Sequence, residues 1–209
     1  MGKPNIDDLE RIAGDAYLRC RANPAVPLSP LVVSRALLGV GRVVLVDRLP
    51  EGVLGASTGH TFASARIILN RSLPTHRKLF TLAHELAHIL LRVEGLDDDD
   101  GLEKSCDYLA ACLMAPKAAA LALVNTYGVS PDRIAEAALQ TGTWAALRIG
   151  EATGMPVAAV KPGKVRFRGK QFEFASESII RAVASGRLRV RGLRKVTLYG
   201  MGRAAVIAV

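Results

Sequence analysis

The sequence has few cysteines, no long apolar run and no repeated or low-complexity segment. Its three cysteines cannot all pair and none lies in a C-x-x-C motif, so we interpret them as reduced core residues of a cytoplasmic protein. The most apolar stretch, residues 108–124, is interrupted by Pro116 and Lys117 and is too short to span a bilayer. Asp7 and Asp8 lie where a signal peptide would be apolar. We therefore expect neither a signal peptide nor contact with a membrane.

Acidic residues are scarce at one end of the chain. Residues 155–209 contain twelve Lys and Arg against two Glu, so the net charge of +9 arises there, whereas residues 1–154 are close to neutral. This boundary predicts a separate basic segment that could hold nucleic acid or an acidic partner, or could simply be a solvated surface. The acidic run at residues 97–100 lacks the spacing and glycine of a calcium loop, so we interpret it as a solvated loop.

One segment combines two histidines with a glutamate at a spacing that suits a metal. Residues 81–91 have the apolar spacing of a helix, predicted to extend from residue 75 to residue 92, and His84 and His88 are four residues apart within it. That separation places both imidazoles on one helical face, where they can bind the same ion. Glu85 follows the first histidine, as does the general base of H-E-x-x-H metalloproteases.

A third candidate ligand lies on the next predicted helix, residues 102–115. Glu103 with two histidines forms a catalytic zinc set that leaves a fourth position open for water. Asp107 is one helical turn beyond Glu103 and could accept a hydrogen bond from the outer nitrogen of a ligand histidine. A coincidental pattern on an amphipathic helix is the alternative, and Glu103 argues against it. The sequence therefore predicts one zinc ion per chain.

These motifs together resemble the ImmA/IrrE family of zinc metallopeptidases. The similarity lies in residues 77–88, in the Glu103-x-x-x-Asp107 pair and in residues 110–116, and it extends over about residues 7–125. Members of that family cleave or otherwise inactivate helix-turn-helix repressors, which switches on mobile-element or stress-response genes. The resemblance thus implies a regulator of transcription whose partner is such a repressor.

The resemblance also assigns roles by position. It implies that His84, His88 and Glu103 are the zinc ligands and that Glu85 is the catalytic base. Asp107 occupies the family's Asn/Asp position one turn after the ligand Glu. The departures from the family pattern, which affect packing positions, are Cys106, Leu109 and Ala115.

From these observations we expect a zinc-dependent metalloendopeptidase that hydrolyses a peptide bond in a partner protein. A second electrophile usually assists such chemistry, and the sequence leaves four candidates open, namely His60, His76, Tyr108 and Tyr127. The alternative function is a zinc-bearing regulator that inactivates a repressor or contacts nucleic acid without proteolysis. A purely structural zinc is disfavoured because such sites are usually closed by four Cys or His ligands.

The predicted elements indicate an α+β fold. We expect a zincin-like core of helices with a small, mostly antiparallel sheet, whose candidate strands are residues 42–46, 53–56 and 63–69. The predicted domains are a metallopeptidase domain at 1–128, a helical pair at 129–154 and a basic, β-rich segment at 155–209. The helical pair is similar to a helix-turn-helix, and the alternative is an ordinary helical hairpin that packs on the peptidase core without contacting DNA.

Overall fold

A computed structural model describes residues 4–97, 101–154, 157–161, 164–168, 195–199 and 204–208. The helices in these ranges are α1 (Ile6–Arg19), α2 (Pro30–Leu38), α3 (Thr75–Val93), α4 (Leu102–Met114), α5 (Lys117–Tyr127), α6 (Pro131–Ala137) and α7 (Gly142–Thr153). The strands are β1 (Val43–Val46), β2 (Gly55–Thr58), β3 (Arg66–Asn70), β4 (Val157–Lys161), β5 (Lys164–Arg168), β6 (Lys195–Tyr199) and β7 (Ala204–Ala208). The expected α+β class is confirmed.

The chain divides into two units, Met1–Ala119 and Ala120–Val209, with the boundary inside α5. In the first unit α3 is the central helix and contacts α2, α4, β2 and β3. Its apolar positions recur at helical spacing and are buried, namely Leu82, Leu86, Ile89 and Leu90. Helix α1 begins with a capping box in which Asn5 Oδ1 accepts from Asp8 N–H and Asp8 Oδ2 accepts from Asn5 N–H.

The sheet of the first unit has the order β1-β3-β2. We expected a mostly antiparallel sheet, but β1 pairs with β3 in parallel and β2 pairs with β3 antiparallel, so the sheet is mixed. A short turn with Gly59 at φ +87° joins β2 to β3, and neighbouring strands joined by a short turn must be antiparallel. Strand β1 lies on the other side of β3, and β2 is therefore an edge strand of the described sheet.

In the second unit α6 and α7 pack together. Thr141 caps α7 by accepting from Trp144 N–H, and Gly154 ends the helix in the left-handed conformation. Arg148 is buried and lies 3.4 Å from the Glu151 carboxylate. A buried arginine paired within its own helix is not available to contact nucleic acid. Whether the pair acts as a helix-turn-helix or as an ordinary helical hairpin stays a prediction.

The described parts of residues 155–209 are strands. Strands β4 and β5 pair antiparallel, as do β6 and β7. The remainder of that segment lies outside the described residues, so its expected binding to an acidic partner stays a prediction. No single helix in the described ranges is long and apolar enough to cross a membrane, although the bent pair α4 and α5 meets that criterion by length and composition.

A buried tyrosine joins three elements of the first unit. Tyr17 of α1 has no exposed surface, and its hydroxyl donates to Leu113 O at 3.0 Å and accepts from Leu28 N–H at 2.9 Å. Two backbone groups far apart in the chain are thus satisfied by one side chain. This arrangement holds α1 against the C-terminal end of α4.

Tyr17→Phe should destabilise the protein because it removes the hydroxyl while leaving these backbone groups in place. We expect a loss of about 1–3 kcal/mol, the usual penalty for an unsatisfied buried polar group. Urea unfolding followed by circular dichroism would measure it. Tyr127→Phe is the control, since Tyr127 is 37 % exposed, and it should change stability by less than about 0.5 kcal/mol. Equal effects of the two substitutions would contradict the prediction.

Candidate metal centre

Helix α3 presents two imidazoles beside its buried face. His84 and His88 are one turn apart, their side chains are 18 % and 19 % exposed, and their Nε2 atoms are 3.2 Å apart. The ring centroids are 4.9 Å apart with an interplanar angle of 71°. Both histidines therefore direct the same nitrogen to one point while neighbouring leucines anchor the helix.

Helix α4 brings a carboxylate to that point. Glu103 Oε2 lies 3.2 Å from His84 Nε2, and Glu103 Oε1 lies 3.4 Å from His88 Nε2. Ligand atoms bound tetrahedrally to zinc at about 2.0–2.1 Å lie about 3.3–3.4 Å from one another. The three donor groups therefore have the spacing expected for three ligands of a tetrahedral ion, and the fourth coordination position is open. Since the Glu103 side chain is 77 % exposed, this position can be reached from solvent.

Asp107 contacts one of the imidazoles. Its Oδ1 lies 3.1 Å from His84 Nδ1, and because an ionised carboxylate can only accept, Nδ1 carries the proton. The neutral His84 ring therefore keeps the Nε2 lone pair for a metal. Burial opposes charge on His84, but the hydrogen bond to Asp107 and the nearby carboxylates raise its pKa above the usual value. Burial, together with the neighbouring His84, lowers the pKa of His88 and favours the neutral form that binds metals.

Glu85 lies between the helix and the edge strand β2. It is 8 % exposed and lines a cleft of about 400 Å³. Strand β2 approaches α3 so closely that a Cβ atom on Gly55 would lie 2.8 Å from Thr81 Cγ2 and 3.2 Å from Glu85 Cγ. Glycine is therefore required at residue 55 for the strand to lie beside the carboxylate.

The cleft continues along α3 beyond His88. It is lined by Ala56, Ser57, Glu85, His88, Arg92, Asp97 and Leu102. Arg92 is half-buried, and its Nε donates to His88 O at 3.1 Å while Nη2 donates to Ser57 Oγ at 2.8 Å. The cleft thus has a general-base candidate near one end and a guanidinium further along the helix.

Cys106 lies on α4 near the acidic groups and is fully buried. Burial, followed by the charges of Glu103, Glu85 and Asp107, raises the pKa of its thiol to about 12. The thiol is therefore protonated at neutral pH and is a packing residue rather than a nucleophile.

The cluster of possible metal-ligand atoms among the described residues consists of His84, His88 and Glu103, and the four predicted electrophile candidates are not members of it. His60 and His76 are exposed, the first in the turn after β2 and the second in the first turn of α3. The Tyr108 hydroxyl donates to Glu10 Oε1 on α1 at 3.5 Å. Tyr127 lies at the end of α5, in the second unit. The structure brings together His84, His88, Glu103 and Asp107, with Glu85 beside the cleft.

Gly55, Ser57 and Arg92 were missed by the sequence analysis. Arg92 could have been noticed, because it is four residues after His88 and seven after Glu85 and therefore lies on the same helical side. Gly55 and Ser57 had no such signal. Their proximity depends on how β2 pairs with β3, which is a contact between segments distant in sequence.

Comparison with known proteins places the chain among peptidase-like domains. The sequence model of the Peptidase_M78 family, described as the IrrE N-terminal-like domain, matches residues 45–149. No curated protein matches the sequence.

A structural comparison agrees at the level of the fold. A solved structure of a Mycobacterium tuberculosis transcriptional regulator is similar with a TM-score of 0.55 and 15 % sequence identity. The similarity covers 78 % of this chain and 55 % of the regulator, so this chain spans little more than half of that protein's length. At this identity the likeness concerns the fold alone.

Asp107→Ala should weaken zinc binding, because His84 would lose the partner that fixes its tautomer. We expect affinity to fall about 10- to 100-fold with the fold retained, as measured by competition with a chromophoric chelator. Asp7→Ala removes an exposed carboxylate from α1 and is the matched control. Unchanged zinc affinity in Asp107→Ala would show that Asp107 is merely a surface residue.

Proposed function

The chain belongs to the Peptidase_M78 family of IrrE N-terminal-like domains, and we propose that it is a zinc-dependent metalloendopeptidase. Its substrate in this proposal is a partner protein, a helix-turn-helix repressor whose cleavage derepresses genes. The observation that carries the proposal is the convergence of His84, His88 and Glu103, whose donor atoms lie within 4.8 Å of one another, next to a cleft that contains Glu85.

Zinc suits this set of donors better than other common metals. Two imidazoles and one carboxylate with an open fourth position form a ligand set typical of catalytic zinc, whereas magnesium and calcium prefer oxygen ligands. The chemistry that zinc supplies at such a site is Lewis acidity, which lowers the pKa of water and polarises a carbonyl oxygen. The protein's part is to hold three ligands, orient His84 through Asp107 and leave one side accessible.

Glu85 would act as the general base of the reaction. It follows a ligand residue on α3, so its carboxylate faces the cleft beside the ligands instead of completing them. In the proposed reaction Glu85 accepts a proton from the attacking water and later transfers it to the leaving amine. Its low exposure of 8 % limits competition from bulk water for that proton.

The edge strand β2 is the proposed platform for the substrate. Its residues Ala56 and Ser57 line the same cleft as Glu85 and His88. An extended peptide can add to such an edge through backbone hydrogen bonds, which would align its carbonyl groups along α3. A repressor segment would have to unfold locally to bind in this way, so exposed linkers are the expected cleavage sites.

The close approach of β2 to α3 generates a prediction for Gly55→Ala. The added methyl group would contact Thr81 and Glu85, so we expect Glu85 to be displaced while the zinc ligands stay in place. Repressor cleavage should fall about 10- to 100-fold with zinc affinity unchanged. Gly14→Ala is the matched control, since a methyl group there meets nothing within 4 Å. Full activity in Gly55→Ala would contradict this role.

The Glu85→Gln variant distinguishes a peptidase from a regulator that inactivates its partner by binding. The amide keeps the size of the side chain but cannot accept the proton, so hydrolysis of a co-encoded repressor should fall at least about 100-fold. Zinc content, fold and repressor binding should be retained. Fragments would be detected by mass spectrometry, and zinc content by atomic absorption.

His84→Ala is the companion variant, and it should lose both zinc and activity because a ligand is removed. A chelator added to the unsubstituted protein should have the same effect. If the repressor is inactivated equally by Glu85→Gln and no fragment appears, the peptidase proposal is wrong. The protein would then act as a zinc-bearing regulator that inactivates its partner by binding.

A further inference from the structure

Arg92 is a cationic side chain held in the wall of the cleft. It is one turn beyond His88 on α3, and it is half-buried. Two of its three nitrogens are fixed, Nε by His88 O and Nη2 by Ser57 Oγ. The guanidinium is therefore pre-organised between the metal-binding helix and the strand edge, and little further side-chain entropy is lost when it binds a ligand.

The charge of Arg92 has no anionic partner among the residues that the structure describes. Both of its hydrogen-bond acceptors are neutral, and Nη1 makes no hydrogen bond to any described residue. Asp97 lines the same cleft, yet it forms no ion pair with Arg92 within the described ranges. A carboxylate can accept two parallel, charge-assisted hydrogen bonds from a guanidinium, which neutral acceptors such as a hydroxyl do not offer.

We infer that Arg92 forms a carboxylate-binding subsite in the cleft and thereby determines which peptides bind beside the metal centre. The inference rests on the proposed peptidase function, and it names an acidic group as a feature of the substrate. The carboxylate can come from a Glu or Asp side chain or from a chain terminus. Both sources offer the paired oxygens that an arginine binds with two parallel hydrogen bonds.

A purely structural role is the competing explanation. Arg92 lies in the last turn of α3, where a cation interacts favourably with the helix dipole, and its bond to Ser57 ties β2 to α3. Such a role would require the hydrogen bonds of Arg92 to His88 O and Ser57 Oγ, but it would not require a ligand. The test must therefore include a readout of peptide selectivity that a loss of packing would not mimic.

The experiment measures peptide binding to full-length, zinc-loaded Glu85→Gln protein by fluorescence anisotropy. The probes are labelled octapeptides that carry Glu, Gln or Lys at one position at a time, with an amidated C-terminus. A second series has the same sequences with a free C-terminal carboxylate. At one position Glu should bind at least about tenfold more tightly than Gln, or the free C-terminus should exceed the amide by that factor.

Variants of Arg92 in the same background test whether the guanidinium is responsible. Arg92→Gln should abolish the preference for the carboxylate, and Arg92→Glu should reverse it in favour of Lys. Arg92→Lys keeps the charge without the two hydrogen bonds of the guanidinium and should retain part of the preference. If these hydrogen bonds alone mattered, the Lys and Gln variants would show the same peptide selectivity. Arg77→Gln, an exposed arginine on the same helix, is the matched control and should leave selectivity unchanged.

Several outcomes would overturn the inference. Equal binding of Glu, Gln and Lys at every position, with no effect of the free C-terminus, would overturn the inference, as would no measurable binding of any peptide. A preference that survives Arg92→Gln would overturn it too. Cleavage of the same peptides by the unsubstituted protein is scored separately. Arg92-dependent peptide binding by a protein that yields no repressor fragment refutes the peptidase proposal alone, whereas cleavage without charge preference refutes the subsite alone.

Discussion

The packing of α3 against α4 is the constraint on which the candidate metal centre depends. Helix α3 provides two imidazoles, but a third donor and the partner of His84 both come from α4. Helices α3 and α4 pack against each other, and α4 carries fully buried side chains such as Leu109 and Leu113. A shift of one residue along α4 would carry Glu103 away from the histidines by about 1.5 Å and rotate it by about 100°. Core packing therefore sets the donor geometry.

Much of this arrangement could be predicted because it is encoded by local spacing. The bounds expected for the helix that carries His84 and His88, residues 75–92, differ by one residue from the observed Thr75–Val93. The H-E-x-x-H pattern fixes the relative positions of His84, Glu85 and His88 once the segment is helical. Glu103 and Asp107 were predicted on the same principle, since their four-residue separation places both on one side of α4.

The cleft was less predictable because it depends on contacts between distant segments. A three-stranded sheet with short strands has few local signals of its pairing, and the expectation of a mostly antiparallel sheet was wrong for β1 and β3. Gly55 illustrates the difficulty. Its role follows from the distance between β2 and α3, and in the sequence it is simply a glycine near a predicted strand. Ser57 acquires its importance in the same way, through Arg92.

The contacts of α1 show how much of the chain, beyond the range matched by the family model, takes part in the packing of the first unit. Glu10 accepts a hydrogen bond from Lys117 N–H at 3.1 Å, which satisfies a backbone donor at the start of α5 and places a negative charge at that helix N-terminus. Helix α1 thus braces the junction where α4 ends and α5 begins, although residues 6–19 lie outside the family-matched range of 45–149. Recombinant fragments trimmed to the matched range would therefore lose a helix that contacts the start of α5, and the first unit should be expressed with α1 included.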